Sequence, residues 1–358
     1  MIQARIRKKY PAVAERPGFT LEVEFQASQG VTVLYGPGGA GKTLALDAIA
    51  GLVPLDDGRI LIDDQILYDR ATGINRSPAE RRCGYIFANP ALIPHMTLRQ
   101  NLLFASACRR LPRLEGHRQV NEILVRFRLN EAGGRHPREA SESERQRCSV
   151  ARAVIGQPRL LLVDEPSGDA GAALRSELLN LLQDVRAEMG IPILLATRQL
   201  DDCFELGEEM LAIDGGRLLQ SGPPRSVFEQ PVNVGVARLL GCFNLLPVKI
   251  ETLDPGKNTS RLRLGDEAIA GLYFPGRLRG DLLTLCVRHD QLRAAPAAGK
   301  PGPNQIRASL QRVAEGRHTV RLHFAGEIVV EMPRADYEES KHVREWFVEF
   351  PQDKLRVL

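Results

Sequence analysis

An α/β domain followed by a smaller all-β domain is the architecture this sequence predicts, and three observations carry that prediction. Short runs rich in Val, Ile and Leu alternate with helical stretches from about residue 18 to 235. A glycine-rich segment joins one of those runs directly to a helix. Beyond residue 236 the text changes to short strands with turn signals and few helical patterns. At 358 residues the chain exceeds one ordinary domain, and 43% apolar residues supply material for two cores.

Taken in order, VTVLY (31–35) is β-branched and apolar but for Thr32, and leads into a helix from Lys42. RILID (59–63), a helix near 97–108, LLLVD (160–164) and ILLAT (193–197) continue the alternation. Strands that are apolar on both faces and separated by helices belong to a sheet covered on both sides. EMLAIDGGRLLQSG (209–222) reads as a hairpin around Asp214, Gly215 and Gly216 that closes the unit. In the second part TSRLRLG, LLTLCVRH, TVRLHFAG, EIVVEMP and LRVL predict a small barrel or sandwich. Residues 294–303, with Pro296, Pro301 and Pro303, read as a loop or linker. The boundaries expected are 1–235 for the first domain, with a helical arm at about 88–156, and 236–358 for the second.

Composition narrows the function. The net charge is +4 and no Lys/Arg block resembles a nucleic-acid arm, so no nucleic-acid partner is expected. Six cysteines are scattered without a C-x-x-C or other metal-ligand spacing, which predicts reduced thiols. MIQARIRKKY lacks the apolar centre of a signal peptide, and no window approaches the roughly 20 apolar residues that cross a bilayer. A membrane role is therefore expected to come through a partner.

The chemistry is predicted at two corners. GPGGAGKT (36–43) follows a predicted strand and opens a helix, the context that G-x-x-x-x-G-K-[ST] requires. Backbone N–H groups of Gly36, Pro37, Gly38, Gly39, Ala40, Gly41 and Leu44, proline excepted, converge where phosphates would lie, and the helix N-terminus adds positive potential. Lys42 is placed to reach the β and γ oxygens, and the Thr43 hydroxyl to ligate Mg²⁺. At the second corner LLLVD ends in Asp164, a candidate to support Mg²⁺ through water, and Glu165, a candidate to polarise the attacking water.

With these residues in view the chain resembles the ATP-binding subunit of an ABC importer, in particular the molybdate and sulfate group. RRCGYIFANPALIPHMTLRQNLLF (81–104) resembles the family's Q-loop region, and QRCSVARAVIGQPRLLLVDEP (146–166) the stretch from signature helix to Walker B. Residues 205–231 resemble the end of the ATPase domain, and CVRHDQL (286–292) with NQIRASLQRV the start of its C-terminal β domain. The resemblance implies a P-loop ATPase core with a helical subdomain and a C-terminal OB-like domain of TOBE or mop type. It also implies ATP and Mg²⁺ as cofactors and a head-to-tail dimer, either of this chain or with another ABC ATPase. Further expected partners are two membrane permease subunits and a periplasmic oxyanion-binding protein, with the chain peripheral on the cytoplasmic face of the inner membrane. The implied activity is ATP hydrolysis coupled to import of molybdate or a related oxyanion. A hydrolysis-deficient partner of an intact paralogue and an oxyanion-sensing regulator are the alternatives.

The pattern is broken at the switching positions. Where the family has Leu-Ser-Gly-Gly-Gln, residues 140–144 read Ala140, Ser141, Glu142, Ser143, Glu144. Ser141 keeps the hydroxyl that the resemblance directs to the opposite subunit's γ-phosphate, while Ser141-x-x-Glu144 is also a capping box that starts a helix unaided. The Q-loop glutamine falls at Ala88, the last acid of the D-loop is lost in residues 168–171, and the switch histidine falls at Arg198. Arg198 is always charged, and is expected to donate to a γ-phosphate oxygen or to neutralise Glu142 across a dimer. Leu44 replaces a second hydroxyl after Lys42, and Tyr10, 26 residues before Gly36, stands where an aromatic stacks on adenine or where a strand merely ends.

Overall fold

The computed structural model describes all residues except 14–16, 28, 108–112 and 167–170, together with the backbone but not the side chain of Arg113. The chain divides into two compact units, Met1–Gln230 and Pro231–Leu358. The division falls a few residues before the expected 235/236.

The first unit is built on one eleven-stranded sheet. Its strands and helices begin with β1 (Ile2–Tyr10), β2 (Phe19–Ala27), β3 (Val31–Tyr35), α1 (Lys42–Ala50), β4 (Asp57–Ile62), β5 (Gln65–Asp69) and β6 (Ile74–Asn75). After α2 (Pro78–Arg81) and β7 (Cys83–Ile86) comes the helical arm, with α3 (Leu98–Ala107), α4 (Arg113–Arg126) and α5 (Glu142–Val154). The unit is completed by β8 (Leu160–Asp164), α6 (Ala172–Met189), β9 (Ile193–Thr197), α7 (Leu200–Leu206), β10 (Glu209–Asp214), β11 (Arg217–Gly222) and α8 (Pro224–Glu229). The order across the sheet is β6-β5-β4-β1-β2-β11-β10-β3-β9-β8-β7.

Strands β3, β8 and β9 are buried at every residue and run parallel, β3 beside β9 and β9 beside β8. Their registers level the carboxyl ends: Tyr35 lies opposite Thr197, and Ala196 opposite Asp164. The loops that leave β3, β8 and β9 therefore meet at one edge, where ligands bind in open parallel sheets. RILID differs from expectation. It lies in the antiparallel wing, where β4 pairs with β1 and β5, and its burial alternates. A short apolar run does not reveal whether its neighbours will be parallel or antiparallel.

The helix that opens at Lys42 is secured at its far end by Arg81, a buried guanidinium. It donates to the carbonyls of Ala48 and Ile49 at 2.7 and 2.9 Å, to Arg76 O at 2.9 Å and to Asn75 Oδ1 at 3.0 Å. A cation at a helix C-terminus complements the helix dipole and satisfies carbonyls that the helix leaves unpaired. Arg81→Met should lower the unfolding free energy by about 2–4 kcal/mol, because it strands several buried acceptors at once. A urea melt of the full chain would show this as a lower midpoint.

The second unit opens with α9 (Val234–Leu240), whose Asn233 cap accepts from Val236 N at 3.0 Å. It continues with β12 (Phe243–Asp254), β13 (Thr259–Leu264), β14 (Glu267–Leu272), β15 (Leu282–Arg288) and β16 (Arg293–Pro296). β17 (Gln305–Glu315), β18 (Thr319–Phe324), β19 (Ile328–Pro333), α10 (Arg334–Glu338), β20 (Glu345–Glu349) and β21 (Arg356–Val357) finish the chain. Two five-stranded sheets, β14-β13-β12-β15-β21 and β16-β20-β17-β18-β19, share one core in which Leu262, Leu285, Phe324 and Trp346 are buried. Because α9 packs on β12 and β15, residues 231–235 belong with this unit. The expected 294–303 loop is in part a strand: residues 294–296 extend β16, which pairs with β20 at the sheet edge, the position in a sheet that tolerates proline.

In this unit Nδ1 of His289 is buried without a hydrogen-bond partner. Burial, followed by the charge of Arg321, depresses the pKa of its imidazole below the usual histidine value. Above about pH 6.5 the ring is neutral in both folded and unfolded chains, and stability is complete. Below that pH the unfolded chain takes a proton that the folded one resists, so stability falls toward the folded pKa. Urea midpoints at pH 7.5 and 5.5 should therefore differ less in His289→Gln than in the wild type.

Candidate functional site

The loop from Gly36 to Thr43 connects β3 to α1 and has glycine where the backbone demands it. A Cβ on Gly36 would lie 2.1 Å from the carbonyl oxygen of Ile213, so the loop passes β10 at backbone contact. Gly41, the residue before α1, has φ +99°, a conformation L side chains rarely adopt. Pro37, Gly38 and Gly39 are exposed, whereas Ala40 is buried and accepts from Gly216 N at 3.1 Å. Leu44 packs its side chain against the core, so only its backbone remains to face a ligand.

Lys42 is buried, and its ammonium has three acceptors: Gly36 O and Pro37 O, both at 2.9 Å, and Glu165 Oε1 at 3.2 Å. A lysine has three N–H donors, so this set is full. The Thr43 hydroxyl donates to Asp164 Oδ1 at 3.0 Å, joining the two predicted Mg²⁺ ligands. Burial raises the pKa of Asp164, and the charges of Glu165 and Asp47 act in the same direction while the Thr43 bond opposes it.

Glu165 follows β8 with φ +39° and donates its N–H to Ala196 O at 2.9 Å. Its carboxylate stands between two cations, Lys42 at Oε1 and Arg198 Nε, 2.9 Å from Oε2. Arg198 had two expected partners, a γ-phosphate and the Glu142 of another subunit. The partner it has in this structure is Glu165 of its own chain, because β8 and β9 are neighbours and both residues leave at the same level.

The remaining predicted residues lie apart from this cluster. Ser141 is the N-cap of α5: its Oγ accepts from Glu144 N at 3.2 Å, and its N–H donates to Glu144 Oε2 at 2.8 Å. The capping box read in the sequence is thus formed. Glu142 is exposed at the first turn, and Ser143 Oγ donates to Glu177 Oε1 at 2.6 Å. Tyr10 ends β1, 43% exposed, with Lys8 Nζ 5.6 Å from its ring centre. Ala88 is exposed. Of the D-loop positions, 168–170 lie outside the described residues.

Two groups went unread in the sequence. Tyr85 donates to Asp47 Oδ1 at 2.8 Å, placing a hydroxyl beside the acid on α1. The Thr197 hydroxyl bonds the fully buried carboxylate of Asp202, which in turn accepts from Arg175 Nε at 2.8 Å. Asp202 stands in an acidic first turn that reads as ordinary helix chemistry, and no local pattern links it to Arg175 on α6.

A glycine loop between a buried parallel strand and a helix, a lysine within it, and an Asp-Glu pair at the end of β8, one strand removed across β9, define the P-loop class of nucleotide-binding proteins. Residues 21–168 match the family model described as ABC transporter. The chain is 36% identical over 211 residues to a molybdenum import ATP-binding protein of Rhodospirillum rubrum, covering 59% of this chain and 56% of the relative. It is 31% identical over 277 residues to a spermidine/putrescine import ATP-binding protein of Vibrio cholerae, covering 76% of this chain and 70% of the relative. A solved dimeric ATP-binding cassette in a post-hydrolysis state, bound to ADP and Pi, shares the fold with a TM-score of 0.53 and 21% identity, over 63% of this chain and 99% of that one. This chain belongs to the ABC transporter family, among its ATP-binding proteins.

Proposed function

We propose that this chain is the ATP-binding subunit of an importer for molybdate or a related oxyanion, coupling ATP binding and hydrolysis to movement of membrane permeases. The observation that carries the reading is the convergence of Lys42, Thr43, Asp164 and Glu165 at the ends of β3 and β8. The cargo follows the molybdenum-import relative, of whose length the match spans 56%.

The residues fit a bound Mg²⁺. Thr43 and Asp164 offer one hydroxyl and one carboxylate 3.0 Å apart, the small set of hard oxygens that Mg²⁺ takes alongside water and phosphate. Among the described residues no group of three or more His, Cys, Asp and Glu forms an all-protein cage. When bound, the ion would neutralise charge on the phosphate oxygens. Lys42 would leave its loop carbonyls and donate to the β and γ oxygens, while the loop amides hold the phosphates. Glu165 would orient a water in line with the γ-phosphorus and receive its proton.

Partners are proposed on the same footing: a dimer, two permease subunits and a periplasmic oxyanion-binding protein, with the chain peripheral on the cytoplasmic side of the inner membrane. No helix among the described residues is long and apolar enough to cross a membrane. A groove of about 710 Å³, lined by Pro78, Arg82, Tyr85, Phe104 and Arg152, joins the sheet to the helical arm, and Phe104 is 55% exposed there. Its mixed lining, an exposed aromatic beside two arginines, supports permease docking.

A second reading, a hydrolysis-deficient partner of an intact paralogue, is favoured by Glu142 at the signature helix and by the ion pair on Glu165. Calorimetry with MgATP and steady-state phosphate release on the purified chain separate the two. Binding with release supports the first, binding without release supports the second, and no binding removes both.

A further inference from the structure

The two residues that hold the Glu165 carboxylate differ in what a nucleotide does to them. In the reaction proposed above Lys42 would turn to the triphosphate and leave Glu165. Arg198 has no such assignment there. Its backbone is fixed, since β9 is paired on both sides and Thr197 is bonded to Asp202, itself held by Arg175. The backbone of Glu165 is fixed as well, through its N–H on Ala196 O at 2.9 Å. The two side chains therefore rise from adjacent strand ends, and Nε lies 2.9 Å from Oε2 in a pair that can persist after Lys42 has moved. A guanidinium cannot release its charge at any physiological pH. Asp164 and Asp47 are the acids nearby, and Asp164 is occupied by Thr43.

We propose that Arg198 is a positioning residue that acts as a built-in brake: by holding the Glu165 carboxylate in an ion pair, it keeps that carboxylate from accepting the proton of the attacking water. The inference rests on Glu165 being the base of the proposed reaction. In that reaction the water oxygen forms a bond to the γ-phosphorus as the bond to the β–γ bridging oxygen breaks. ADP and inorganic phosphate leave, and the water's proton passes to Glu165. The brake acts on this last transfer, without altering how tightly the triphosphate is held.

The test uses the full chain with MgATP. Arg198→Gln should raise kcat for phosphate release about tenfold, a fraction of what a free general base contributes, with KM unchanged. Arg198→Lys, which keeps a positive charge at neutral pH, should bring kcat back toward the wild-type value. Arg198 is half exposed, so these variants should fold, and a merely structural role would lower kcat instead. In a Glu165→Gln background, calorimetry should give the same MgATP affinity with Arg198 and with Arg198→Gln. Equal or lower kcat in Arg198→Gln, while Glu165→Gln abolishes release, overturns the brake alone. A loss of MgATP affinity makes Arg198 a phosphate ligand and also overturns it. Phosphate release that survives Glu165→Gln removes the base and the brake together.

Discussion

Replacing Glu142 and Ser143 by glycine should strengthen ATP-dependent dimerisation by up to three orders of magnitude. In the proposed dimer the first turn of α5 faces the γ-phosphate of the opposite subunit, and Glu142 is exposed there. A carboxylate about 4 Å from a phosphate charge costs about 4 kcal/mol at a surface-like dielectric, and each 1.4 kcal/mol is tenfold in affinity. The helix itself should survive, because its start is set by Ser141 and Glu144, which the double change leaves in place. Glu142→Gln separates charge from shape: it should recover most of the gain. Sedimentation with MgATP in a Glu165→Gln background measures the effect without turnover. An unchanged dimerisation constant would mean that this helix start does not meet a phosphate at all.

Lys42→Ala should weaken MgATP binding by about 10²–10⁴-fold, the equivalent of two charge-assisted hydrogen bonds of roughly 1.5–3 kcal/mol each. The side chain is buried and its three acceptors lie within the loop and at Glu165, so its removal leaves the β3–α1 turn otherwise supported by its glycines. Calorimetry reads the affinity, and an unchanged urea midpoint rules out unfolding as the cause. Wild-type affinity in the variant would remove the nucleotide from this loop and with it the proposed function. The Glu142 and Lys42 predictions are independent: one concerns the opposite subunit's phosphate, the other the chain's own.

The site was largely legible because its residues are adjacent in sequence to the elements that carry them. GPGGAGKT follows the strand-like run VTVLY, and LLLVD ends in its acid, so strand, turn and chemistry are read together. The hairpin at Asp214–Gly216 was legible for the same reason, with Gly215 at φ +53° and Gly216 at φ +77°. The strand within 294–303 was hidden by its prolines, since pairing with β20 is a long-range fact that composition does not carry. The antiparallel wing was hidden too, because β4 reads like the central strands until its partners are known.

What the sequence determined by itself is an inventory and a set of local shapes: a phosphate loop, a capped helix start at Ser141, an Asp-Glu strand end and the loss of both signature glycines. Each of these is settled within a few residues by φ/ψ preference, hydrogen bonding to near neighbours or alternation of apolar side chains. Only the tertiary structure decided that Arg198 meets Glu165 of its own chain, that Arg175 secures Thr197 through Asp202, and that Arg81 closes the far end of the phosphate helix. The Arg175–Asp202 and Arg81–Ala48 contacts join residues 27 and 33 positions apart, on helices that the sheet order brings together. Sheet order is fixed by burial and crossover packing of the whole unit, which no local stretch of sequence records.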